Sequence, residues 1–125
     1  MKIKKRTLKV PKTLIVQRKK WLRGEGDSYL KREKDGKMCC LGFACLAAGL
    51  KPKEILGIES PATVCENLED SVIQSLVLSK NPTENTTLCY KMMCTNDSLN
   101  IDDVDREANL TKLFKRMGTK VIFKG

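Results

Sequence analysis

The chain has 125 residues, 41% of them hydrophobic and 31% charged, with a formal net charge of +9. That length suits one domain able to bury a core without staples, and the balance excludes a disordered polyelectrolyte. The charge is unevenly placed. Residues 1–23 hold ten basic side chains and no acidic one, whereas the rest carries 15 acidic against 14 basic. A localised cationic block attracts phosphates or anionic surfaces, unless it is simply a solvated segment.

In chain order, "MKIKKRTLKV" alternates loosely between charged and apolar residues, so 1–12 is read as a basic arm or an edge strand. The apolar stretch that follows, Leu14 to Val16, is too short for the core of a secretory signal. The run from Met38 to Leu50 is shorter than the ~20 residues that cross a bilayer. The expected location is therefore a cytoplasm, with the six cysteines reduced.

After Pro11, residues 13–23 are expected as a helix with Leu14, Val16 or Arg18, Trp21 and Leu22 on one stripe. "GEGD" at 24–27 ends it. Asp35-Gly36 predicts a small hairpin within 29–40. Leu41 to Ala48 is apolar all round, which predicts a buried helix, closed by Gly49 with Pro52 beyond it. Residues 51–62 read as irregular and 63–79 as a second helix, on the spacing of Val64, Leu68, Val72, Leu76 and Val77. A polar loop at 80–87, an ambiguous apolar segment at 88–94 and a turn-rich "TNDSLN" follow.

The clearest helix is 102–117. Asp102, Asp103, Asp105 and Glu107 lie near its start and Lys112, Lys115 and Arg116 near its end, which complements the macrodipole. Its buried stripe is expected from Val104, Ala108, Leu110 or Thr111, Phe114 and Met117, with Gly118 as the C-terminal cap. "TKVIFKG" reads as a closing strand. The expected fold is α+β: one domain over 1–125, three to four helices, and a small antiparallel sheet around a buried central helix.

The chain has no histidine. That removes Ser–His and Cys–His nucleophile pairs, histidine bases and every His-containing metal site. Cys39, Cys40 and Cys45 lack the usual activating base, and burial as small apolar side chains explains them better than reactivity. Cys40/Cys45 and Cys89/Cys94 offer two pairs for zinc, but four intervening residues across a helix point the thiolates apart. The acidic group Asp97, Asp102, Asp103, Asp105 and Glu107 lacks the spacing of a calcium loop, and helix capping accounts for it. No catalytic residue, metal or cofactor is expected.

What remains is a cationic group around one tryptophan. Arg18, Lys19, Lys20 and Arg23 flank Trp21, just before two closely spaced glycines. Cations can hold phosphates while an indole stacks a base, although Trp21 is equally readable as a core anchor.

The motifs "KKWLRG", "DGKMCCLGFACLAAG", "MCTNDSL" and "DREANLTKLFKRMG" resemble a family of small tailed-bacteriophage and prophage proteins with a "CCLG" signature, here Cys39-Cys40-Leu41-Gly42. The match departs where Thr95 precedes Asn96-Asp97, and in a longer middle segment. The resemblance implies a viral gene expressed in a bacterial cytoplasm, and a protein that binds a host component or neutralises a host defence. Its "CCLG" is read as a tight junction where Gly42 allows close backbone approach.

Two binding readings follow. The first is a non-catalytic counter-defence protein that captures an anionic, nucleotide-like ligand or a host defence protein. Its candidate residues are Arg18, Trp21, Arg23, Lys37, Asn96 and Asp97, in a pocket that a homo-oligomer can complete. On this reading, removing Trp21 or Arg23 weakens binding and spares the fold. The second is sequence-tolerant nucleic-acid binding through Lys2, Lys4, Lys5, Arg6, Lys9, Lys12, Lys19 and Lys20.

Overall fold

The structure is a computed structural model that describes residues 10–26, 29–59 and 91–125. Residues 1–9 of the arm expected at 1–12, the helix at 63–79 and the loop at 80–87 fall outside the described residues. Strand β1 (Thr13–Gln17) leads through a short 3-10 turn (Arg18–Lys20) into an extended stretch at 21–23. Helix α1 (Cys40–Ala48) and the one-turn helix α2 (Pro52–Ile55) follow. Residues 91–97 are helical (α3), and α4 (Asp103–Met117) and β2 (Lys120–Lys124) close the chain. The fold is α+β.

Residues 13–17 form a strand where a helix was expected. Thr, Ile and Val stiffen χ1 and favour extended backbone, and Leu14 and Val16 are buried in strict alternation with exposed neighbours. The sheet is parallel and not antiparallel. Thr13 pairs with Lys120 and Gln17 with Lys124, so the two strands are joined through the whole helical part of the chain. The Asp35-Gly36 signal makes a turn without a strand ladder: Gly36 N–H donates to the Arg32 carbonyl, and Arg32 N–H to that of Lys37. Within the stretch expected as irregular at 51–62, Pro52 supplies the first helical position of the short α2.

Helix α1 is the central element, with seven of its nine residues buried. No side chain of its own N-cap, Cys39, binds its first turn. Gly49 closes it in the left-handed region at φ 116°, its N–H reaching the carbonyls of Cys45 and Leu46. Gly42 faces the segment around Leu30, which crosses so closely that a Cβ would strike the Leu30 carbonyl group. The close approach expected from "CCLG" is present.

Helix α4 begins and ends as the sequence predicts, with Asp102 capping the Asp105 N–H at 2.8 Å and Gly118 at φ 93°. Its buried stripe differs. Val104 and Ala108 are exposed, and the core face is Arg106, Leu110 and Phe114, residues four apart. On α3 the same spacing of four buries Met92 and Asn96. Two of these inward positions, Arg106 and Asn96, are polar, and they organise the centre of the molecule.

Candidate functional site

Asn96 is fully buried and uses its whole amide. Its Oδ1 accepts from Trp21 Nε1 at 2.7 Å and from the Cys40 backbone N–H at 3.0 Å. Its Nδ2 donates to the Leu22 carbonyl and to Asp97 Oδ1, both at 2.9 Å. The first two partners are donors only, so the atom facing them must be the oxygen. Asn96 thus caps the start of α1 from 56 residues away, supplying the acceptor that Cys39 does not.

The end of α3 is closed just as fully. Arg106, 3% exposed, donates from one guanidinium nitrogen to the carbonyls of Thr95 and Asn96 and from another to that of Ile101. A cation at the carbonyl end of a helix meets the negative pole of its dipole. The "GEG" loop completes the arrangement, with the N–H groups of Gly24 and Gly26 donating to the carbonyls of Asn96 and Asp97. Backbone amides in such a glycine turn can cradle an anion, but here they are engaged inside the protein.

An outer layer of ion pairs fastens 18–23 to α4. Arg18 binds Glu107 with two parallel bonds of 2.7 and 2.8 Å. Arg23 donates to Asp103 at 3.1 Å and to the carbonyls of Arg18 and Trp21. Its guanidinium lies 4.5 Å from the centre of the Trp21 ring, and Phe123 lies 4.9 Å away from that ring.

Five of the six expected ligand residues therefore do meet, but as an internal clasp. Trp21 is 2% exposed, so it is a core side chain here and not a stacking platform, and its removal is a change to the core. Asn96 turns its entire edge inward, and Asp97 contributes one oxygen to it. Lys37 lies apart on the 32–37 turn, one residue before Met38, which bridges to Trp21. Sequence reasoning missed Arg106, Asp103 and Glu107. Arg106 had one legible signal, its spacing of four and eight from Leu110 and Phe114.

The ion pairs of the clasp should weaken in acid. Burial pushes the Asp103 carboxyl up, but hydrogen bonds from Arg23 and Arg106 outweigh it and leave it below its ordinary 3.8. Hydrogen bonding from Arg32 likewise holds Asp35 far below the usual carboxylate range. For a depressed carboxyl, the stabilisation is complete above the unfolded-state value and is lost as pH falls through the folded-state value. Urea unfolding should therefore show stability declining as pH drops below 3.8, and Asp103→Asn should flatten that decline. An Asp103→Asn profile parallel to the parent's would contradict the clasp.

Among the described residues, no group of three or more His, Cys, Asp or Glu is placed to hold a metal ion. Cys40 and Cys45 are buried in α1, Cys94 is exposed on α3, and Cys89 lies outside the described residues. No described helix is long and apolar enough to cross a membrane.

The cations left over lie elsewhere. Lys12, Lys19 and Lys20 are exposed and make no ion pair among the described residues. Two shallow grooves flank the sheet: one of about 470 Å³ includes Lys12, Lys115 and Lys120, the other of about 380 Å³ includes Lys19 and Lys124. Among the described residues, no acidic side chain lines either groove. Lys2, Lys4, Lys5, Arg6 and Lys9 lie outside the described residues. No protein-family profile, curated protein or solved structure matches the chain.

Proposed function

We propose that this protein is a non-catalytic nucleic-acid-binding protein, an accessory factor in the bacteriophage setting that its motifs imply. One observation carries the reading: the cations of the basic block divide into two sets. Arg18 and Arg23 are held by Glu107 and Asp103, whereas Lys12, Lys19 and Lys20 stay exposed, Lys12 and Lys19 beside grooves that no acidic side chain of the described residues lines. Arginine's planar fork suits fixed internal pairing, and lysine's hydrated point charge suits exchange with phosphate counterions. Capture of a small nucleotide at Trp21 has no such support, since its stacking group and both arginines are engaged.

The test is a fluorescence-anisotropy titration with mixed-sequence nucleic acid between about 50 and about 200 mM salt, where counterion release makes affinity fall steeply. Replacing Lys12, Lys19 and Lys20 together by Gln should make the slope of log K against log salt shallower by about three, roughly one per lost phosphate contact. Absence of binding even at the low salt concentration overturns the proposal.

A further inference from the structure

Resting on that reading, the geometry points to duplex DNA as the ligand, straddled by the outer face of the β1–β2 sheet. Alternation along β1 turns Thr13, Ile15 and Gln17 outward. The register sets Lys120, Ile122 and Lys124 of β2 opposite them. The face therefore has an apolar centre, where 46%-exposed Ile15 pairs with Ile122, and a cationic margin at each end. Lys12, Lys115 and Lys120 form one margin, and Lys19 and Lys124 form the other.

The spacing suits a duplex. Lys120 and Lys124 are four residue steps apart along β2, a span of about 13 Å at ~3.3 Å per residue. The major groove of B-DNA is about 12 Å wide and admits a two-stranded β-ribbon. Laid across it, the sheet sets one lysine margin against each bounding row of phosphates, while Ile15 and Ile122 face the groove floor with its thymine methyl groups. The major groove of duplex RNA is too narrow and deep for this fit.

Single strands are disfavoured by what the face lacks. Their binders stack bases on exposed aromatic rings. Among the described residues no aromatic side chain is exposed: Trp21, Phe43 and Phe114 are buried, and Tyr29 and Phe123 are half-buried. Contacts limited to phosphates and methyl groups favour the regular charge array of a duplex with little sequence preference.

The experiment titrates the full chain against one labelled duplex DNA, its isolated strand and the matching duplex RNA. Both the parent and a Lys120→Gln/Lys124→Gln variant are used, and unchanged melting verifies the variant's fold. The duplex DNA should bind tightest, and the variant's salt slope on it should be shallower by about two. Ile15→Ser should weaken duplex binding without altering that slope. A single strand or duplex RNA bound as tightly as duplex DNA, or an unchanged slope in the double variant, overturns this inference while leaving nucleic-acid binding intact. Failure to bind any of the three overturns both.

Discussion

Gly42→Ala should deprive this protein of a stable fold. A Cβ on Gly42 would lie 2.8 Å from the Leu30 carbonyl carbon, closer still to its oxygen, and 3.0 Å from the Met38 Cβ. Both obstacles are tied down. The Leu30 N–H donates to the Ile58 carbonyl, and the Lys31 carbonyl accepts from Gly57 N–H, which locks the crossing segment to the turn after α2. On the other side, the Met38 N–H donates to the Lys20 carbonyl, and the Met38 carbonyl accepts from Leu22 N–H. Overpacking typically costs about 1–3 kcal/mol where side chains can give way. Here backbone must move and break such bonds, so the loss should be on the order of 4 kcal/mol, a large share of the roughly 5–15 kcal/mol of a typical domain. Thermal unfolding should fall by on the order of 15 °C, or soluble protein should be lost. Gly118→Ala is the control: nothing lies within 4 Å of its Cβ position, so only the left-handed conformation penalises it, by about 1–2 kcal/mol. Equal melting temperatures for the two variants would refute the close crossing at Gly42.

The same junction shows what the sequence made legible. Apolar composition all round a short helix, a glycine one position beyond it and a glycine inside it placed α1, its cap and its close contact correctly. The charge polarity of 102–117 fixed α4 to within a residue. These are local signals, and they survive because neighbours along the chain create them. The segment 13–23 carried two competing periods: Leu14 and Val16 fit a strand, and Leu14 with Trp21 and Leu22 fits a helix. The choice was settled by a partner strand more than a hundred residues away, which no local pattern encodes.

The partners of the candidate residues were illegible for a related reason. Tryptophan, arginine and asparagine were singled out as ligand residues, because such groups need partners. Their partners proved to be internal. Glu107 lies 89 residues from Arg18 and Asp103 lies 80 from Arg23, and both acids were already explained as dipole-complementing residues of α4. Asp102 does only that, capping its own helix, whereas Asp103 and Glu107 also neutralise the arginines. The exposed lysines then become the more informative half of the basic block, since nothing inside the described structure accounts for them.

Asn96 is the position where the clasp can be tested most sharply, because two substitutions separate its hydrogen bonds by sign. Asn96→Ala orphans the Trp21 indole N–H, the Cys40 N–H at the start of α1 and the Leu22 carbonyl. Three buried groups at about 1–3 kcal/mol each should remove several kcal/mol, on the order of 4. Asn96→Asp keeps the acceptor toward Trp21 and Cys40 but turns a second oxygen toward the Leu22 carbonyl and the Asp97 carboxylate, where the amide nitrogen had sat 2.9 Å from each. The Trp21 and Cys40 N–H groups favour its charged form, but they satisfy only one oxygen. Burial, the Leu22 carbonyl facing the other oxygen and the adjacent Asp97 carboxylate disfavour it, so the introduced carboxyl's folded-state pKa should lie above that of the unfolded chain. Its protonated form can donate to the Leu22 carbonyl as the amide did. A raised pKa contributes stability that is complete below the unfolded-state value of about 3.9 and is lost as pH rises through the folded-state value. Acidification from neutral pH should therefore narrow the stability gap between Asn96→Asp and the parent, and leave the gap between Asn96→Ala and the parent unchanged. Urea unfolding of all three proteins between about pH 7 and about pH 4 measures both gaps, above the range where Asp103 becomes protonated. A gap for Asn96→Asp that stays constant or widens over that range would mean that the amide of Asn96 is not buried between these partners, and the internal clasp would fall with it.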